Sequence, residues 1–96
     1  MRIVWTAPAL TDLAAARVFI TFDSPSAAKR QVQYVVAAVE TLQRFPDSGR
    51  PGRVLGTREL VVARTPFIVA YRVGRDAIEV LRIMHGRQRW PNGFQP

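Results

Sequence analysis

The part of the chain that most constrains its fold is residues 57–91, which contain three short apolar runs separated by turn signals. The runs cover residues 58–64, 67–73 and 77–84, and they are rich in β-branched residues. Thr65-Pro66 separates the first two runs, and Gly74-Arg75-Asp76 separates the last two. Because strands joined by such short breaks pair as hairpins, the pattern predicts a three-stranded antiparallel meander.

The residues before the meander begin with a strand and a helix. Residues 2–5 form a short apolar run, which indicates a first strand. Thr6 is a suitable N-cap for a helix that continues to about Phe22, with Pro8 in its first turn. Asp12 lies near the start of this helix, where a carboxylate suits the helix dipole. The helix has one apolar face, made of Leu10, Leu13, Ala16 and Ile20.

A second helix is predicted to follow almost immediately. Asp23 or Ser24 would cap it, and Pro25 would occupy its first position. We expect it to end near Phe45, because Pro46 disfavours helical geometry in the preceding residue. Its apolar residues recur at spacings of four and three, which is typical of a helix that packs against another helix. These residues are Ala28, Val32, Val35, Val39 and Leu42.

These elements predict one α+β domain over residues 1–96, with the order β-α-α-β-β-β. Ninety-six residues suffice for one hydrophobic core. Two helices joined by so few residues must form an antiparallel helical hairpin. We expect this hairpin to cover one face of a twisted, mainly antiparallel four-stranded sheet. In this arrangement the strand at 58–64 runs antiparallel to the first strand.

The loop at residues 47–57 contains three glycines and one proline, so it interrupts the regular structure. Arg50 and Arg53 make it basic. Its length and charge suit a binding element, whereas a plain connector would also have this composition. Both interpretations stay open at this point.

The net charge of the chain is +7, and most of it lies in the second half. Residues 1–49 hold five basic and four acidic side chains, whereas residues 50–96 hold nine arginines and three acids. Arginine binds phosphate and carboxylate groups through two parallel hydrogen bonds. The basic half therefore indicates an acidic partner, either a nucleic acid or a protein.

Several classes of site are not expected. The chain has no cysteine and one histidine, so neither a disulfide framework nor a metal site is predicted, and we expect no cofactor. No apolar run is long enough to cross a bilayer, and no membrane partner is expected. These features fit a cytoplasmic protein.

Seven short segments together resemble the ParE branch of the RelE/ParE toxins of bacterial toxin–antitoxin pairs. They follow one another in the order and at the spacing of that family, over nearly the whole chain. They are W-T-A-P-A-L-T-D-L at 5–13, D-S-P-S-A-A at 23–28, F-P-D-S-G-R-P-G at 45–52, R-E-L at 58–60, V-A-Y-R-V at 69–73, I-E-V-L-R-I at 78–83 and H-G-R-Q-R-W-P at 85–91.

This resemblance implies a toxin that binds DNA gyrase, alone or on cleaved DNA, and so blocks replication without catalysing a reaction. It also implies plasmid stabilisation and a ParD-like antitoxin, which would lay an amphipathic, acidic segment over apolar grooves and basic surface. Candidate target-binding residues are Arg72, Arg82, His85, Arg87, Arg89 and Trp90. Candidate antitoxin-binding residues are Leu10, Leu13, Arg58, Leu60, Val62 and Arg64.

Two alternatives remain. RelE-type toxins are ribosome-dependent mRNA endonucleases, which use basic side chains to stabilise phosphate charge and a terminal tyrosine or histidine for proton transfer. In this chain apolar Ile68 occupies the middle-strand position of the catalytic arginine of that branch, which weighs against a nuclease. The second alternative is a non-toxic basic binding module, and the family-like tail weighs against it.

Three other residues that could carry chemistry are expected to have structural roles. His85 could exchange protons near neutral pH, but we expect it to cap the last strand or to pack against Trp90. Tyr71 on a central strand is expected in the core or at its rim. Glu59 is expected to form a cross-strand ion pair with an arginine.

Arg87, Arg89 and Trp90 combine an aromatic plane with two guanidinium groups, which suits an interaction surface.

Overall fold

The computed structural model describes residues 1–21 and 24–86, in which two helices pack on a five-stranded mixed sheet. The α+β class and the element types predicted from the sequence are therefore confirmed, with one strand more than predicted. The elements are β1 (Arg2–Trp5), α1 (Ala7–Thr21), α2 (Pro25–Thr41), β2 (Arg50–Pro51), β3 (Arg58–Val61), β4 (Phe67–Val73) and β5 (Ala77–His85).

The sheet has the order β1-β5-β4-β3-β2. Strands β3, β4 and β5 form the predicted antiparallel meander, and β1 pairs with β5 in parallel. Because β3 and β5 both run antiparallel to β4, β3 is parallel to β1. The prediction that these two strands run in opposite directions was wrong.

The physical reason for this error is β2, a two-residue strand in the glycine- and proline-containing loop. It pairs antiparallel with β3 through Arg50 opposite Glu59 and Pro51 opposite Arg58. The first strand after the helical hairpin therefore does run antiparallel to β1, but that strand is β2. Two residues are too few to show a strand pattern in the sequence.

A β-bulge near Leu81 changes which side chains of β5 face the helices. Ala70 lies opposite Arg82 and Tyr71 opposite Val80, so Leu81 is the extra residue. Strict alternation along β5 would put Val80 and Arg82 on one face. In the structure Val80 and Ile83 belong to the helix-facing core, and Arg82 shares the opposite face with Ala70 by register.

Both helices begin where the sequence predicted. The Thr6 hydroxyl accepts a hydrogen bond from the Ala9 amide at 3.3 Å, and the Ser24 hydroxyl accepts one from the Ala27 amide at 3.2 Å. These bonds satisfy amide groups that the first helical turn leaves unpaired. Helix α2 ends at Thr41 with Leu42 as its C-cap, slightly before the predicted end at Phe45.

The hydrophobic core lies between the helices and one face of the sheet. The predicted seam of α2 is largely buried, with Val35, Val39 and Leu42 at most 2 % exposed. Opposite this seam lie Val69, Tyr71 and Val80 from β4 and β5. No helix within the described ranges is long and apolar enough to cross a membrane.

Candidate functional site

Arg72 and Arg82, two of the candidate target-binding residues, lie by register on the sheet face opposite the helices, and each forms an ion pair. Arg72 lies opposite Glu79, and its guanidinium donates to the Glu79 carboxylate at 2.6 Å. Arg82 donates to both oxygens of Asp12, at 2.7 and 3.0 Å. A guanidinium paired with a carboxylate has less positive potential to offer a phosphate group. These pairs therefore suit a structural role better than phosphate chemistry.

Asp12 joins α1 to β5 beyond the point where β1 ends. Pairing of β1 with β5 stops at Trp5 opposite Val80. Past that point the Asp12 carboxylate accepts a hydrogen bond from the Ile83 amide at 2.9 Å, in addition to the two from Arg82. The bonds to Asp12 raise the pKa of the Arg82 guanidinium, so Arg82 stays charged. Asp12 is thus an anchor between two elements, not a residue of the first helical turn.

The predicted core position of Tyr71 is confirmed. The side chain is fully buried, and its hydroxyl donates to the Pro46 carbonyl at 2.7 Å and accepts from the Gly49 amide at 2.9 Å. Burial raises the pKa of the Tyr71 phenol above its ordinary value of 10.0, and the hydrogen bond from Gly49 partly opposes this shift. Tyr71 therefore ties the segment after α2 to the sheet as a neutral group.

Glu59 forms the predicted cross-strand ion pair and also organises the loop before β3. Its carboxylate is 3 % exposed and accepts from the Arg50 guanidinium at 3.2 Å. It also accepts from the Arg53 amide at 2.9 Å and from Arg53 Nε at 3.4 Å. A buried carboxylate is stable when several donors surround it. Both basic side chains of the loop at 47–57 are therefore bound by one buried acid on β3.

His85 and Ile68 lie at the same end of the meander. The His85 ring contacts Phe67 edge-to-face, with ring centroids 6.0 Å apart. Ile68 lies opposite Met84, and both side chains are buried. The strand position that holds a catalytic arginine in RelE-type nucleases, by resemblance, is thus a packed apolar site here.

The candidate antitoxin-binding residues differ in their exposure. Leu10 is half-exposed on α1, whereas Leu13 and Leu60 are partly buried against the core. Val62 is 2 % exposed and belongs to the core, so its side chain offers almost no surface to a partner. Arg58 donates to the Gly49 carbonyl at 2.7 Å, next to the Tyr71 hydroxyl contact.

Arg64 has a left-handed backbone, with a φ of 68°, and its guanidinium lies 5.7 Å from the centre of the Tyr34 ring.

Three of the candidate target-binding residues, Arg87, Arg89 and Trp90, lie outside the described residues. The described ranges also contain no group of three or more side chains that could hold a metal ion.

Comparison with known proteins agrees with this geometry. Residues 3–90 match the model of the family described as "ParE toxin of type II toxin-antitoxin system, parDE". A solved structure of the chromosomal ParDE toxin–antitoxin system from P. aeruginosa superposes with a TM-score of 0.79 at 35 % identity, covering 88 % of this chain and 95 % of that chain.

Similar sequences carry related names. "Putative toxin Y4kP" of Sinorhizobium fredii is 48 % identical over 94 % of this chain and 93 % of its own length. Toxin RelE2 of Caulobacter vibrioides is 37 % identical over 88 % of this chain and 93 % of its own length. The two helices, the mixed sheet and these matches lead to one conclusion: the chain belongs to the ParE toxin family of type II toxin–antitoxin systems.

Proposed function

We propose that this toxin inhibits DNA gyrase by binding it, stalls it on cleaved DNA and so blocks replication. The observation that carries the proposal is that the arginines on β4 and β5 form ion pairs with carboxylates of the same chain. Arg72 and Arg82 are both paired with carboxylates, and Ile68 is packed against its neighbours. A nuclease of the RelE type would need cationic groups available to the scissile phosphate. Inhibition by binding fits this surface better than RNA cleavage does.

The direct test is inhibition of purified gyrase. The toxin is added to gyrase, ATP and relaxed plasmid, and supercoiled and linear DNA are separated on a gel. We expect loss of supercoiling together with linear DNA after protein denaturation, because a stalled enzyme retains broken strands. Normal supercoiling at a toxin excess over gyrase would contradict the proposal.

A cognate ParD-like antitoxin is the second proposed partner, and the surface of α1 supports it. Leu10, Ala14 and Val18 are four residues apart, so they form one stripe along the helix, and all three are exposed. Leu10 is 52 % and Val18 60 % exposed. A surface helix that is apolar on its outer side as well as its inner side is typical of a helix covered by a partner. We propose that the antitoxin covers this stripe, and that both partners meet the toxin in the cytoplasm.

Replacement of Leu10 by serine should weaken antitoxin binding at least about tenfold, the effect of losing one buried leucine contact. Isothermal titration with the antitoxin encoded beside the toxin measures this change. Val61→Thr is the matched control, because Val61 is a 56 % exposed aliphatic residue on β3. Equal affinities for the Leu10 variant and the unmodified toxin would exclude α1 as the antitoxin surface.

A further inference from the structure

The most exposed large apolar side chain in the described ranges is Leu55, which is 96 % exposed at the tip of the loop between β2 and β3. Residues 54–57 form a four-residue turn in which the Thr57 amide donates to the Val54 carbonyl at 3.1 Å. Gly56, the third residue, has a φ of 85°, as a type II turn requires. Leu55 is the second residue of this turn, and it therefore points away from the fold.

The tip is fixed in position by hydrogen bonds on both of its sides. The Thr57 hydroxyl donates to the Val54 carbonyl at 2.6 Å, and the Gly52 amide donates to the Thr57 carbonyl at 2.8 Å. Below these bonds, the buried Glu59 carboxylate holds the Arg53 amide. A loop with this many internal bonds loses little conformational entropy when it binds a partner. Leu55 is thus presented in a preorganised position.

The loop that carries Leu55 exposes two basic side chains to solvent. The side chains of Arg50 and Arg53 are 56 % and 50 % exposed, whereas that of their shared carboxylate, Glu59, is 3 % exposed. Beside the tip, an open cleft of about 290 Å³ is lined by Pro51, Gly56, Thr57, Arg58 and Val73. Arg50 and Arg53 share one acid, so these three side chains together keep a positive charge. A partner at this tip would meet one aliphatic side chain on a basic loop.

We propose that residues 52–57, the Leu55 tip, insert into an apolar pocket with an acidic rim on the folded protein target of the toxin. This inference rests on the proposed function. A projecting, preorganised leucine fits a concave site on a folded partner, whereas an amphipathic antitoxin segment needs a groove on the toxin. Leucine neither stacks on bases nor binds phosphate, which disfavours nucleic acid as the direct partner.

The position of the tip separates it from the proposed antitoxin surface. Strand β2 forms one edge of the sheet and β1 the other. Helix α1 follows β1 and packs on α2 and β5, whereas the tip follows β2. Substitutions at the tip should therefore affect the target and the antitoxin differently.

The test uses two variants of the full chain, Leu55→Ser and Gly56→Ala. The first removes the apolar contact, and the second keeps Leu55 but places a side chain at a φ that disfavours it. Purified gyrase and relaxed plasmid report inhibition, and thermal unfolding reports folding. We expect the toxin concentration for half-inhibition to rise at least about tenfold for Leu55→Ser. Gly56→Ala should also raise the toxin concentration for half-inhibition, and Val61→Thr should leave it unchanged.

Growth arrest on expression separates this inference from the proposed function. If the unmodified toxin arrests growth without inhibiting gyrase, the gyrase proposal fails, and Leu55→Ser should still relieve the arrest if the tip binds another protein target. Wild-type potency of Leu55→Ser in both assays would overturn the inference. A loss of antitoxin affinity with unchanged toxicity would also overturn it, as would an unmodified toxin that neither arrests growth nor inhibits gyrase.

Discussion

Replacement of Asp12 by alanine should lower the free energy of unfolding by about 3 kcal/mol. The carboxylate is 15 % exposed and its partner Arg82 is 23 % exposed, so this pair is mostly shielded from water. Alanine would leave the Arg82 charge and the Ile83 amide without the acceptor they share. We place the loss at the lower end of the range for buried pairs, because both groups keep some contact with solvent. Urea unfolding followed by circular dichroism measures the change.

Two further variants test the cause of this loss. Asp76→Ala removes an exposed carboxylate from the turn between β4 and β5, and it should change stability by less than about 0.5 kcal/mol. Combining Asp12→Ala with Arg82→Met removes the unpaired charge, so part of the stability should return. If Asp12→Ala were as mild as Asp76→Ala, α1 would not be anchored to β5 through this carboxylate.

Replacement of Tyr71 by phenylalanine should cost about 2 kcal/mol, because it leaves the Gly49 amide and the Pro46 carbonyl without their hydrogen-bond partner. The pH dependence should change as well. The folded state raises the pKa of Tyr71, so above the ordinary value of 10.0 the unfolded chain loses this proton first. The stability that Tyr71 contributes is therefore present below about pH 10 and is lost as the pH rises through the folded pKa.

Tyr34→Phe is the matched control for this prediction. Tyr34 lies at the edge of the core, beneath the Arg64 guanidinium, and not in the Pro46–Gly49 contact. Comparing unfolding curves at about pH 7 and about pH 11 should show a shallower loss of stability for Tyr71→Phe than for Tyr34→Phe. Equal slopes for the two variants would mean that the Tyr71 phenol is not held neutral by the fold.

The sequence was sufficient to predict both helices and the four longer strands, because their signals are local. The Thr6 and Ser24 caps and the spacing of Val35 and Val39 depend on neighbours within a few residues. The two-residue strand β2 and the bulge at Leu81 have no such signal. Both are set by pairing between strands. Because β2 intervenes between the helices and β3, β3 runs parallel to β1 and not antiparallel as expected.

The candidate site was harder to predict for the same reason. Asp12 is 70 residues from Arg82 in the chain, so its helix position alone suggested a dipole interaction. The expected ion pair of Glu59 was correct, since cross-strand pairing links nearby residues, but its bonds to Arg53 required the fold of the loop. Leu55 is one of several apolar residues in the sequence, and its exposure becomes apparent once the Gly56 turn is known.

The measurement that tests the central claim most directly is controlled expression in a bacterial host. Cleaved gyrase–DNA complexes, plasmid supercoiling and mRNA integrity are followed in the same culture, with the cognate antitoxin co-expressed in a parallel one. Inhibition by binding predicts cleaved gyrase complexes and intact mRNA, and the antitoxin should suppress both the complexes and the growth arrest. Codon-phased mRNA cuts with normal supercoiling would contradict the account and would identify the protein as a ribosome-dependent nuclease.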